Sequence, residues 1–246
     1  MSEVHVYGVV RSAKRPVVTD PDVRQLTHGE VAALVSDTER DGLVAARVLR
    51  THWRVLEDAA ATVTVLPVRF GTVMADDSAV VEQFLAPLHD ELAAGLDEMD
   101  GKVQLTVKGT YDEEALMAGV VAGSLAVSRL RDEVNGLPEA AAYYKRIELG
   151  QLVAAEVEAA RERDTQYVFG QLEPLAVAAH AEAQSGPSAA FNLAFLVDRA
   201  RVEEFSHAVG ALRRDLRDRI AIRYVGPLPP YSFTADNLAP GATAWA

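Results

Sequence analysis

The sequence predicts an α+β fold in two domains, the second of them ferredoxin-like with additional helices. Three observations carry this. Short stretches with apolar residues at every second position alternate with longer stretches in which they recur every three to four residues. A helical stretch ends at Gly101 and a new alternating stretch begins at once, which sets a boundary between residues 1–100 and 101–246. Beyond that boundary the order is strand, helices, strand, helix, strand, a split βαβ arrangement elaborated by extra helices.

The elements follow from residue chemistry. Residues 3–10 place Val4, Val6 and Val10 on one face and His5, Tyr7 and Val9 on the other, a valine-rich strand. A polar loop with Pro16 and Pro21 leads to a short strand at 31–36. A helix is expected over 43–61, with Leu49, Trp53, Leu56 and Ala60 as its apolar stripe. Residues 62–74 read as β structure, at an edge or bulged, because Pro67 has no donor for a ladder. Asp76, Asp77 and Ser78 supply the cap and first-turn acids of a helix running to about residue 98.

In the second half, Val103, Leu105 and Val107 alternate as a strand. A helix over 112–134 stops at Asn135-Gly136-Leu137-Pro138, and Pro138 opens the next, to about 163. A further helix is expected to about 183. Then come a loop at 185–188, a strand through Phe191–Val197, a helix over 203–217 and a strand at 220–224.

Composition is that of a folded globular chain, roughly half apolar and a quarter charged. The net charge of −12 opposes a phosphate backbone, so nucleic acid is not an expected partner. With no cysteine there are no disulfides, thiolate nucleophiles or Cys-based metal sites. No basic and apolar leader is read at the start. The longest apolar run, 115–130, is interrupted by Ser124, Ser128 and Arg129 and falls short of the roughly 20 residues of a bilayer span. An intracellular protein without a membrane span is expected.

No catalytic set is apparent. His207 and Glu203 are four apart on a helix, but two ligands do not make a metal site. His52 lies on or beside an apolar stripe, which favours a satisfied core histidine over a general base. There is no GxxxxGK[ST], no GxGxxG after a strand and no GxSxG. Gly119-Val120-Val121-Ala122-Gly123 forms a GxxxG on a helix, whose plain meaning is close helix packing. Neither catalytic residues, nor cofactor, nor metal are expected.

Two segments stand out. Val65-Leu66-Pro67-Val68-Arg69-Phe70-Gly71-Thr72-Val73 sets an arginine in an apolar strand, either a solvent-facing residue or a binding anchor. Tyr224-Val225-Gly226-Pro227-Leu228-Pro229-Pro230-Tyr231-Ser232-Phe233 is held extended by three prolines and ends in aromatic residues. It is either an extension folded back on its own core or a strip for a partner. The candidate partner-binding residues are Arg69, Phe70, Pro229, Pro230, Tyr231 and Phe233.

These same two segments, together with His52-Trp53-Arg54-Val55-Leu56-Glu57 and the opening His5-Val6-Tyr7-Gly8-Val9-Val10, resemble the gas vesicle protein L/F family (GvpL/GvpF). The resemblance runs from Val4 to Phe233 and departs at Met74, where the family often has an aromatic residue. It implies an N-terminal α/β domain and a C-terminal modified ferredoxin-like domain. It also implies a cytoplasmic, vesicle-associated accessory or minor structural protein without enzymatic activity. The implied partners are the hydrophobic gas vesicle shell protein and other gas vesicle accessory proteins. The alternatives are a ligand-binding regulatory module, or an enzyme whose site brings together distant residues such as His52, Arg69 and Glu57.

Overall fold

The computed structural model describes residues 3–38, 45–184 and 186–234. It divides into two compact units. One comprises Met1–Leu105, Leu196–Ala200 and Gly226–Ala246, the other Thr106–Phe195 and Arg201–Val225.

The first unit is built on an antiparallel sheet with β1 (Val4–Arg11) at its centre. On one side β1 pairs with β3 (Val31–Asp37), and β3 with β2 (Arg24–His28). On the other side β1 pairs with β4 (Val65–Pro67) through Gly8–Val10 and with β5 (Val73–Met74) through Val4 and His5. Both faces are covered, which is why β3 reads Val-Ala-Ala-Leu-Val without polar alternation. One face lies under α1 (Ala45–Ala60). The other lies under α2 (Asp77–Ala79), the π-helical turn Val80–Leu85 that continues it, and α3 (His89–Met99).

The β1–β3 register shifts between Val6 and Gly8. Because side chains alternate, such a shift exchanges the faces. Val4 and Val6 accordingly join Val9, not Val10, in the core beside Phe84, Leu92 and Leu96, while Tyr7 and Val10 join Val55 and Leu56 of α1. Gly8 sits where no side chain fits: a Cβ would lie 2.7 Å from Leu56 Cδ2 and 2.8 Å from the Leu66 carbonyl oxygen.

The second sheet has the order β7 (Ala178–Ala181), β8 (Ala189–Asp198), β6 (Lys102–Tyr111), β9 (Ile220–Leu228). In chain order this is fourth, first, third and second strand read from the β9 edge, the ferredoxin-like order expected for a split βαβ unit. The helices of the second unit are α4 (Glu113–Gly123), α5 (Leu125–Asn135), α6 (Glu139–Leu172) and α7 (Val202–Leu216). Phe195 and Phe205 meet with ring centres 5.1 Å apart, and both are fully buried.

Several boundaries differ from expectation. The start of the helix expected at 43 lies outside the described residues. The β structure expected over 62–74 is confined to β4 and β5. The helix expected over 112–134 breaks at Ser124, whose hydroxyl accepts from the Val127 amide and caps α5. Two helices expected over 138–183 are one, α6, followed by a 3₁₀ turn at Glu173–Leu175 and strand β7. The Asp76 cap is formed: its carboxylate accepts from the Ala79 amide at 2.8 Å.

Candidate partner-binding surface

The β4–β5 edge holds the first candidate residues. Val68 N–H donates to the Tyr7 carbonyl and Val6 N–H to the Thr72 carbonyl, each at 3.0 Å, so the chain leaves the sheet after Val68 and returns at Thr72. Between them is a tight turn. The Thr72 amide (3.2 Å) and hydroxyl (2.8 Å) both donate to the Arg69 carbonyl. Gly71, at φ +86, takes the third position, where a type II turn needs a positive φ. The turn thrusts Arg69 and Phe70 outward. Arg69 is exposed and makes no ion pair among the described residues; Phe70 is 39% exposed.

Helix α1 lies beside this turn. Its buried stripe is His52, Val55, Leu56 and Ala59, so the expected stripe through Leu49 and Trp53 is rotated by about one position. The rotation puts His52 into the core and leaves Val48, Leu49 and Trp53 partly in solvent. Arg50, exposed on the same helix, also makes no ion pair among the described residues, whereas Arg54 is held by Asp20 at 2.6 Å.

His52 meets His5 of β1, Nδ1 to Nε2, at 3.0 Å. The Phe70 ring closes over the pair, 5.4 Å from His52 edge-to-face and 6.1 Å from His5. Burial pushes His52 down to about 4; the facing His5 adds to this and the Val68 backbone only partly offsets it. Burial lowers His5 as well. Two neutral rings can share one proton between facing nitrogens, whereas two imidazolium rings would repel, so the pair is uncharged at neutral pH. Tyr7 continues the polar seam, its hydroxyl 2.8 Å from Ser36 Oγ.

The tail folds back on the same unit. Pro229 and Pro230 are buried. A short helix, Tyr231–Thr234, is tied down by Gln104, whose Oε1 accepts from the Ser232 amide and whose Nε2 donates to Ser232 Oγ, both at 2.8 Å. Phe233 packs against the Val4–Phe84 core. Tyr231 lies on Trp53 with ring centres 4.2 Å apart. Its hydroxyl is buried without a hydrogen-bond partner, and burial, with the Glu57 carboxylate second, raises its pKa. The tail is thus packed on its own unit, with part of Tyr231 left in solvent.

The geometry joins Phe70, Trp53 and Tyr231, all partly exposed, in one aromatic cluster around the buried His52. Sequence reasoning missed His5 as the partner of His52, since the two are 47 residues apart and no local pattern links them. It does not join His52, Arg69 and Glu57: His52 is 1% exposed, while Arg69 and Glu57 are both exposed and neither hydrogen-bonds to it. Among the described residues no group of three or more His, Asp or Glu is placed to hold a metal ion, and no helix is long and apolar enough to cross a membrane.

This scaffold is shared with proteins of gas vesicles. The crystal structure of GvpF from Anabaena sp. PCC7120 superimposes with a TM-score of 0.81 at 26% identity, covering 95% of this chain and 98% of that one. GvpF from Microcystis aeruginosa, at 24% identity and a TM-score of 0.78, repeats the fold. Gas vesicle protein F of Streptomyces sp. (strain CB03234) is 35% identical over 237 residues, 93% of this chain and 98% of that protein. Gas vesicle protein L of the same strain is 28% identical over 258 residues, covering 92% of this chain and 88% of that protein. The family described as gas vesicle synthesis protein GvpL/GvpF matches residues 3–235. The chain belongs to the GvpL/GvpF family.

Proposed function

We propose that this chain is an accessory or minor structural protein of gas vesicle assembly that binds the hydrophobic shell protein and other gas vesicle proteins. It works in the cytoplasm at the growing vesicle and carries out no catalysis. The observation that supports this most is the turn at Arg69–Phe70. A glycine-dependent turn between two short strands holds the Arg69 guanidinium in solvent, without an ion pair among the described residues, and leaves the Phe70 ring 39% exposed against α1, on which Val48, Leu49 and Trp53 are also partly exposed. Aromatic and arginine side chains of this kind are the usual anchors of protein interfaces. Arg69, Phe70 and the open part of Tyr231 make the contact in this reading. Pro229, Pro230 and Phe233 hold Tyr231 in place from beneath.

The test is co-expression of the tagged chain with the shell protein and each accessory protein, followed by pull-down. Wild-type chain should retain at least one of them. Arg69→Ala should weaken retention while leaving the melting temperature nearly unchanged; Phe70→Ala should weaken it as well, with some loss of stability because its ring covers His5 and His52. A wild-type chain that retains none, together with normal vesicle yield after deletion of its gene, would sink the proposal.

A further inference from the structure

Helix α1 has two unlike flanks. Turning about 100° per residue with His52 facing the sheet, it sets Leu49, Trp53, Glu57 and Arg50 at about 60°, 100°, 140° and 160° on one side, and Val48 and Thr51 at about 40° and 100° on the other. The Val48 side lies towards β3. With Ser36 and Asp37 it lines a cavity of about 460 Å³ whose Arg54 and Asp37 are already paired, with Asp20 and Arg24. The Leu49 side lies towards β4 and β5, which pair with β1 on the edge opposite β3. There Leu49, Trp53 and Phe70 are 37%, 36% and 39% exposed and, with the open part of Tyr231, form an apolar strip.

Charges of one sign border this strip. Arg50 is three residues before Trp53, a neighbouring position on the helix surface, and Arg69 precedes Phe70 on the turn. Both are exposed, and neither makes an ion pair among the described residues. Acidic residues outnumber basic ones by 36 to 24, and Arg11, Arg24 and Arg54 of the same unit each find a carboxylate. The carboxylate on this flank, Glu57, stands four residues beyond Trp53 on the side of Tyr231, at the other end of the strip. Two free guanidinium groups beside exposed aromatic rings call for carboxylates carried on an apolar scaffold. The same strip of a second copy does not fit, because it would set arginine against arginine. An extended anionic surface does not fit either, because the net charge of −12 opposes it.

We infer that this flank of α1 takes an acidic amphipathic segment of a partner protein. Its apolar side chains lie on Leu49, Trp53 and Phe70, and its carboxylates on Arg50 and Arg69. The inference rests on the partner-binding role proposed above and adds the chemistry and polarity of the partner, whose acidic residues lie away from Glu57.

The test is the co-expression pull-down with the shell protein and each accessory protein, eluted across salt from about 50 mM to about 1 M. Retention should fall as salt rises. Arg50→Glu and Arg69→Glu should each weaken it about tenfold without changing the melting temperature, since both side chains are exposed and unpaired. Arg50→Lys keeps the charge and should keep most of the binding. Glu57→Arg extends the basic border and should tighten it, a gain that no loss of fold would give. Arg223→Glu, at an exposed arginine of the second unit, makes the same change in net charge and should have no effect. Leu49→Ser should weaken retention at every salt concentration. A retained partner indifferent to salt and to both reversals, or one weakened equally by Arg223→Glu, overturns the acidic-segment assignment while leaving the partner-binding role intact. A chain that retains none of the proteins refutes that role itself.

Discussion

Acidification should loosen the first unit through the buried histidine pair. In the unfolded chain His52 protonates at about its ordinary 6.5, whereas in the folded chain it does so only near 4. Between those two values the unfolded state binds the extra proton and the folded state does not. Stability therefore falls as pH drops from 6.5 towards 4, and above 6.5 this group contributes no pH dependence. Each pKa unit corresponds to about 1.4 kcal/mol, so the full loss from His52 is about 3 kcal/mol, reached near pH 4. His5, lowered by the same burial, acts in the same direction.

The assay is urea unfolding followed by Trp53 fluorescence in a Trp245→Phe background, at intervals from pH 7.5 to 4.5. Trp53 lies against Tyr231 of the same unit and reports its opening. Carboxylates titrate in part of this range, so the informative quantity is the difference between wild type and His52→Gln. The variant keeps an amide able to face His5 and loses the titrating ring, and its profile should be flatter between pH 6.5 and 4.5. Parallel profiles would refute the reasoning and place the acid sensitivity elsewhere.

Three further outcomes follow from the packing. Phe84→Ala removes one of the largest fully buried side chains of the first core and should cost about 3–5 kcal/mol by chemical unfolding. Asp164→Ala strips the Tyr111 hydroxyl and Arg219 of their acceptor. The loss should be about 2–3 kcal/mol, less than for a wholly buried pair because the Arg219 side chain is 45% exposed. Gly71→Val forces a β-branched residue towards a φ of +86 and should cost about 1–3 kcal/mol, with weaker partner retention because Arg69 and Phe70 are re-aimed.

Much of the fold was legible because burial writes a simple pattern where one element packs on another. The valine alternation of β1, the run Val31–Val35 and the aromatic alternation of β8 each matched a strand. Less legible were elements whose conformation is imposed from outside. Strand β2, Arg-Gln-Leu-Thr-His, carries a single large apolar residue and exists because β3 supplies its hydrogen bonds. Strand β7, Ala-Ala-His-Ala, is made of helix formers and is held by β8. Helix α6 runs on to Leu172 because no proline or cap interrupts it before Pro174.

The candidate surface was half legible. Arg69 and Phe70 stood out because an arginine interrupts an apolar strand two residues before a glycine, and the geometry puts them on a projecting turn. The stripe of α1 was misplaced by one position, since Leu49 and Trp53 have the same period as His52 and Val55 and only the sheet decides which set faces inward.

The contact of Tyr231 with Trp53 also has a consequence in time. The ribosome releases α1 early, but the residues that cover Trp53 and anchor through Gln104 are made only after the whole second unit. Until then the nascent first unit shows an uncovered tryptophan to its surroundings. A chain stopped before Gly226 would keep that exposure permanently, giving chaperones and proteases a mark by which to tell it from the finished molecule.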